Sequence, residues 1–270
     1  MKFLAFDTST DVMSIAVTGG AAGGAEGGRV WQHTGPGGAK SSATLIPAIL
    51  ALLAQAGIAL GDLDAIVFGR GPGSFTGLRT ACAVAQGLAL GARQGAGVPV
   101  LPVDTLMAVA EEARFQRAQE RAHERADGPA KAAAPVVLHV TALLDARMDE
   151  MYVQQLAFAD GVWQARGDCT PVRPEQFVPE PATDWLAGNV FGVYADRLPA
   201  RLAGLPCVTA LPTATALLRL APALAAAGHC VEAARALPLY VRDKVALTTE
   251  ERDQLKVGKM LLLSPLPAAD

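Results

Sequence analysis

The sequence predicts an α/β protein of two domains: a mixed five-stranded sheet with helices in the first, and a reduced variant of the same plan in the second. Three observations carry this. Through the first 110 residues, apolar runs and turn residues follow the order strand, turn, strand, strand, helix, strand, helix. Near Val136 the order restarts with strand, turn and strand. Between the two lies a break, Asp127-Gly128-Pro129 and an alanine run to Pro135. With 270 residues, 51% hydrophobic and 18% charged, the chain can bury a sizeable core and suits two domains.

Phe3 to Phe6 reads as a short buried strand that ends in a tight polar turn, Asp7-Thr8-Ser9-Thr10. Val12 to Val17 returns as a second strand. The glycine-alanine stretch Gly19 to Gly28 reads as a hairpin loop, and Arg29 to His33 as the third strand. Gly35-Pro36-Gly37-Gly38 breaks the chain. A helix is expected from Ser41 or Ser42 to Gly57, bent by Pro47 near its start. It carries Leu45, Ile46, Ile49, Leu50, Leu52 and Leu53, and opposite them only Thr44, Ala48, Ala51 and Gln55.

Asp64 to Phe68 is the next strand, followed by the turn Gly69-Arg70-Gly71-Pro72-Gly73-Ser74 and a helix from Phe75 to Ala92, which Ser74 or Thr76 can cap. Two readings of the turn compete: a phosphate cradle at a helix N-terminus, or a tight turn that sets a helix against a sheet. It lacks the Gly-Lys-Ser/Thr ending of a P-loop and its glycines miss the dinucleotide spacing, so local residues favour the structural turn. On the helix, Arg79, Gln86 and Arg93 recur on one narrow stripe, and nearly everything else is apolar or small. A surface helix of a lone domain shows a wider polar face, so this one is expected to be covered on two sides.

Val98 to Val103 is a strand, and Asp104 fits the cap of the next helix. That helix passes into Glu111 to Arg125, whose mixed Glu and Arg read as a solvated face. In the second half, Val136 to Leu144, Glu150 to Phe158, Val162 to Arg166 and Leu205 to Thr209 are strands, and Thr213 caps an alanine-leucine helix ending near Gly228. Trp185-Leu186-Ala187-Gly188-Asn189 and a turn containing Tyr194 lie between. Thr248 and Glu251 form a short capping box in the tail. We place the first domain at 1–110, a charged helical insertion and linker at 111–134, the second domain at 135–242 and a tail at 243–270.

A net charge of −3 leaves no electrostatic footprint for strong nucleic-acid binding by this chain alone. Cys82, Cys169, Cys207 and Cys230 are far apart and suit reduced thiols in a cytosolic protein better than disulfides or zinc. The N-terminus reads as free of a secretory signal, and no apolar run reaches membrane-spanning length.

This element order resembles the actin-like ATPase (ribonuclease H-like) superfamily, and Asp7-Thr8-Ser9-Thr10 resembles its first phosphate turn. More specifically, Phe3 to Thr10, Gly71 to Arg79, Leu144 to Tyr152 and Pro238 to Arg242 resemble, in the same order, segments of the bacterial TsaB (YeaZ) family. The resemblance implies a non-catalytic subunit of the machinery that makes threonylcarbamoyladenosine in tRNA. It also implies pairing with the transferase TsaD, joining by the ATPase TsaE, tRNA contact only through the complex, and a homodimer when alone. Two features depart from the family: Lys40-Ser41-Ser42 stands where many members have His-Ser, and Glu111 to Ala134 resembles an insertion that decorates the surface.

An active member of the superfamily needs a second phosphate turn and an adenosine platform. The matching second turn, Asp145-Ala146-Arg147-Met148, has bulky residues where glycines would let a phosphate approach the backbone, and Leu186 to Asn189 is a thin remnant of a platform. Independent ATP hydrolysis is therefore not expected, no cofactor is expected beyond a vestigial nucleotide site, and Asp7 reads as a turn-capping carboxylate. Asp145, Arg147, Asp149 and Glu150 read as an inter-domain salt-bridge network sooner than a ligand site. His33, His123, His139 and His229 are too scattered to share a helix face as metal ligands. An independent nucleotidase or peptidase is the rival reading. Binding remains: Leu45, Ile49, Leu52 and Leu53 on the first helix are expected to face a partner. On the second helix Leu78, Arg79, Cys82, Gln86, Leu88 and Ala89 are expected to do the same.

Overall fold

The structure, a computed structural model, describes residues 1–19, 29–126, 137–202 and 204–242. The hairpin loop expected within Gly19 to Gly28, the end of the charged segment and the capping box at Thr248 and Glu251 lie outside the described residues, apart from Gly19 itself.

The first sheet has the order β3-β2-β1-β4-β5, built from β1 (Phe3–Asp7), β2 (Val12–Gly19), β3 (Arg29–Pro36), β4 (Ala65–Gly71) and β5 (Val100–Asp104). β1 runs antiparallel to β2 and parallel to β4, which is parallel to β5. The apolar run of β1 is explained by burial on both faces, since successive strand residues point to opposite sides. Leu4 and Phe6 pack with α1 (Leu45–Ala56) and α2 (Phe75–Gly91); Phe3 and Ala5 pack into the core on the other face. Ser74 caps α2 by accepting from Gly77 N–H, and Gly57, at φ 67°, ends α1 in the left-handed conformation. The segment Gly38–Ala43 before α1 is a 3-10 helix, because Ser41 turns its hydroxyl back onto the Gly38 carbonyl; the α-helix begins at Leu45. Pro47 thus sits in the first turn, where its missing N–H costs no helical bond.

The second sheet runs β11-β10-β6-β7-β8, with β9 also on β7. Its strands are β6 (Leu138–Asp145), β7 (Met151–Ala159), β8 (Val162–Ala165), β9 (Thr170–Val172), β10 (Trp185–Gly188) and β11 (Cys207–Thr209). The short helix α4 (Val190–Val193) covers its outer face with Phe177, Tyr194 and Leu202.

Two long helices, α3 (Thr105–Ala126) and α5 (Ala214–Ala226), lie between the sheets. α5 belongs to the second half of the chain yet packs on β1, β2 and β4, and its Ala214 N–H donates to Ser14 Oγ at 2.9 Å. One core of residues from both sheets and both helices therefore joins the two halves.

This corrects the reading of Glu111 to Ala134 as a surface insertion. α3 runs across residue 110 without a break, and Leu106, Val109, Ala110 and Ala113 are buried. Glu111 is only 2% exposed; its carboxylate accepts from Arg114, Arg219 and the Trp163 indole. Its charge is tolerated there because four N–H groups replace water. Among the described residues of this segment, the stretch from Ala118 to Glu124 has the solvated character expected of the whole.

Candidate functional site

Asp7 ends β1 with its side chain folded onto the turn that follows. Its Oδ1 accepts from Ser9 N–H at 2.8 Å and Ser9 Oγ–H at 2.6 Å. Asp7 Oδ2 is buried with no hydrogen-bond partner and faces the Cα of Gly69. Burial pushes the carboxyl up from 3.8 to about 6, against the two Ser9 bonds, which pull it down. Thr8 is buried too, its hydroxyl donating to the Gly77 carbonyl at 2.7 Å. Of the four turn residues, only Ser9 and Thr10 line the open cleft described below.

The glycines of the Gly71–Gly77 turn make room for other backbone. A Cβ on Gly77 would lie 1.9 Å from Thr8 O, and one on Gly73 2.6 Å from Ser9 O. Ser74 N–H donates to Ser9 O at 2.7 Å. The two turns are thus clamped to each other, the close-packing use of glycine rather than an open anion cradle.

The second-half turn departs from expectation in its backbone. Arg147, Met148 and Asp149 lie at φ 60°, 53° and 59°, three consecutive non-glycine residues in the left-handed region. The sequence lacks glycine there, yet the chain takes a conformation glycine favours. Asp145 organises it: Oδ1 accepts from Arg147 N–H at 2.9 Å and from the Tyr194 hydroxyl at 2.7 Å, while Asn189 Oδ1 accepts Asp145 N–H. Burial and the neighbouring Asp145 carboxylate raise the Tyr194 phenol above its ordinary range. Arg147 Nη2 sits 2.7 and 2.5 Å from the two Asp11 oxygens, which raises the guanidinium further.

The first-half turns and this second turn enclose a cleft of about 380 Å³. Ser9, Thr10, Asp11, Gly73, Ser74 and Thr76 form one wall; Asp145, Arg147, Met148 and Asn189 form the other. Of the polar cluster expected as an inter-domain network, Arg147 bonds across the cleft, Glu150 pairs with Arg242, and Asp149 pairs with Arg197 within the second half.

The partner surface needs correction. Leu45, Ile49, Leu52, Leu53, Leu78, Cys82 and Ala89 are all 5% exposed or less, buried in the chain's own core, and Leu88 is half-buried against it. The large apolar residues that α1 and α2 expose are Ile46 at 42%, Leu50 at 49% and Leu90 at 57%. On α1, Ile46 and Leu50 part from Leu45, Ile49, Leu52 and Leu53, a division that the period alone does not make because both sides are apolar.

The polar stripe of α2 is covered from within the chain. The segment 231–242 returns from the second half along the helix. Val231 pairs with Val100 at the edge of β5, Ala236 O accepts from Cys82 Sγ–H and Gln86 Nε2–H, and Arg79 Nε–H donates to the Tyr240 hydroxyl at 3.0 Å. The Arg79 guanidinium also lies 3.9 Å from the Phe75 ring centre. Arg93 instead ties the end of α2 to the Gly61 and Leu63 carbonyls. The second cover predicted for this helix is therefore in part the chain's own C-terminal strap. Pro238 to Arg242 held that information only as a motif, with no periodicity to show where it docks.

Among the described residues no helix is long and apolar enough to cross a membrane. The family model described as TsaD, tRNA N6-adenosine threonylcarbamoyltransferase, matches residues 37–251. The chain is 30% identical over 255 residues to the tRNA threonylcarbamoyladenosine biosynthesis protein TsaB of Haemophilus influenzae, covering 91% of this chain and 95% of that one. Its identity to TsaB of Escherichia coli is 30% over 254 residues, covering 91% and 96%. A solved structure of YeaZ from Pseudomonas aeruginosa superposes with a TM-score of 0.68 at 37% identity, over 88% of this chain and 99% of that one. Likeness in sequence and in fold along nearly the whole length has one consequence: the chain belongs to the TsaB (YeaZ) family.

Proposed function

We propose that this chain is a non-catalytic subunit of the machinery that makes threonylcarbamoyladenosine next to the anticodon, where it binds TsaD and holds that transferase competent. The observation that carries the reading is the outward surface of α1 and α2. Ile46 and Leu50 on α1 and Leu90 near the end of α2 stand exposed, among neighbours that are mostly small or uncharged, with Arg93 the nearest charge in sequence to Leu90. A partner helix pair of matching character would bury them. The relatives' shared name supplies the pathway. In the absence of TsaD the same surface pairs two copies of this chain. TsaE joins the assembled pair, and tRNA is met through the complex, in keeping with a net charge of −3. The free cysteines fit a cytoplasmic protein.

The cleft supports a role without a cofactor. Its second turn carries the Arg147 and Met148 side chains where a phosphate would need bare backbone, and Arg147 is engaged with Asp11. Cys169 is held up to about 12 by burial, away from a reactive thiolate, which weighs against the peptidase alternative. The test is reconstitution: TsaD and its partner proteins with unmodified tRNA, with and without this chain, reading threonylcarbamoyladenosine by mass spectrometry of nucleosides. Modification that needs this chain, and is lost with Leu50→Glu and Leu90→Glu in a folded protein, supports the reading. Full modification with the double variant removes the surface from it, and tight calorimetric binding of ATP with magnesium to the isolated chain overturns the cofactor-free cleft.

A further inference from the structure

A second cavity, of about 210 Å³, lies where α3, α5 and the β7–β8 hairpin meet, and shares no lining residue with the cleft. Its walls are apolar: Met107, Phe158, Trp163, Leu220 and Leu224. Three charged residues, Glu111, Arg114 and Arg219, also line it.

The hydrogen-bond capacity left over in this cavity is one-sided. Glu111 Oε1 accepts from Arg114 Nη2 at 2.9 Å and Arg219 Nε at 3.0 Å. Its Oε2 accepts from Arg114 Nε at 2.8 Å and the Trp163 indole at 2.9 Å. The carboxylate is saturated. Glu112 beside it, whose Oε2 accepts from Arg219 Nη2 and the Thr213 hydroxyl, is not part of the lining. Each arginine, by contrast, has its Nη1 outside these bonds. Both guanidiniums are also fixed in place by rings, Arg114 over Phe158 at 4.5 Å and Arg219 over Phe115 at 4.0 Å. What remains is a set of donors on two positive groups within apolar walls.

From this we infer that the cavity binds a small apolar carboxylate, with its aryl or branched alkyl group against Trp163 and Leu220 and its carboxylate on Arg114 and Arg219. The volume admits about one such group, smaller than the usual drug-sized pocket. A partly desolvated guanidinium–carboxylate contact selects an anionic head over a neutral or cationic one. The same chemistry is offered by a free metabolite and by the carboxy-terminal residue of a peptide.

The experiment uses the full chain and follows the NMR signal of the Trp163 indole N–H, assigned with Trp163→Phe. Phenylacetate is expected to shift it saturably below about 10 mM, and phenethylammonium, of like size and opposite charge, is expected not to. Ala223→Phe, at the exposed cavity rim, should weaken phenylacetate at least about tenfold with unchanged melting; Arg114→Gln should weaken it as well, with a lowered melting temperature because it withdraws two of the four N–H groups from Glu111. Gly-Gly-Phe and its carboxy-terminal amide separate the sources: tighter binding of the free peptide acid than of phenylacetate assigns a chain terminus, and the reverse assigns a small molecule. No saturable shift with any carboxylate, equal shifts by both charges, or indifference to Ala223→Phe overturns the proposal.

Discussion

Asp7 Oδ2 lies so close to Gly69 that a Cβ built on that glycine would sit 1.8 Å from it. The carboxylate occupies the space a side chain on β4 would take. Gly69→Ala must therefore displace either the Asp7 side chain, with its two Ser9 bonds, or the pairing of β1 and β4. We expect a loss of about 1–3 kcal/mol in urea unfolding, in the range of an overpacked core site. A loss under about 1 kcal/mol would mean that the turn relaxes at little cost.

The same buried carboxyl makes stability depend on pH. Its folded pKa is about 6, against 3.8 in an exposed chain, so the native state holds the proton more tightly than the unfolded state. The stabilisation from this proton is complete below pH 3.8 and is lost as pH rises through about 6. A shift of this size corresponds to roughly 3 kcal/mol. Unfolding free energies of the parent and of Asp7→Asn, measured between those limits, should converge at low pH, the parent falling relative to the variant as pH rises. Parallel curves would remove Asp7 from the account.

Tyr240 stands at the end of the strap as Arg79 stands at the start of α2. Its ring lies 5.3 Å from that of Phe75, and its hydroxyl accepts from Arg79. Tyr240→Ala deletes both contacts, at about 1–2 kcal/mol for a half-exposed aromatic and cation contact. The strap upstream should open more often. Cys82, buried beneath Ala236, is the reporter: alkylation at this position should accelerate several-fold, with exposed Cys207 as the internal control. An unchanged Cys82 rate would show that the strap is held by Val231 and Ala236 without Tyr240.

What the sequence made legible follows from periodicity. Strands such as Phe3–Asp7 and the Ser74 and Thr213 caps announce themselves by local pattern. Facing does not, where both faces are apolar: Ile49 and Leu50 are equally hydrophobic, and only the tertiary fold decides that one is buried and the other half exposed. Charge misled in α3, where Glu111 reads as solvent-facing until Trp163 and Arg219, 52 and 108 residues away, supply its donors. Gly69 reads from sequence as the first residue of the turn, but β4 continues through it to Gly71; only as a glycine within a strand does it mark the close approach of Asp7.

That facing difference gives a paired test. Ile49→Glu places a carboxylate in a fully buried core site and should cost at least about 3–5 kcal/mol or prevent folding. Leu50→Glu, one residue on, should change stability by no more than about 1 kcal/mol while abolishing association with TsaD. Thermal melting and co-purification read the two effects separately. A folded Leu50→Glu that still co-purifies with TsaD would move the partner surface elsewhere.

Met148 has φ 53° in the middle of the left-handed run, and its side chain is 49% exposed at the cleft. A non-glycine residue there costs about 1–2 kcal/mol in backbone strain, and glycine costs about 0.5–1 kcal/mol through the freer unfolded chain. Met148→Gly should therefore stabilise by about 0.5–1 kcal/mol, the reverse of the usual effect of glycine. Arg147→Gly relieves the same strain but gives up the Asp11 contact, an ion pair with both side chains more than half exposed and worth little, so it should be near neutral. Asp149→Gly forfeits the bond from Arg197 at 2.7 Å and should gain less than Met148→Gly. Urea unfolding of the three variants ranks them. Destabilisation by Met148→Gly would mean that its side chain contributes packing at the cleft that outweighs the strain of its backbone.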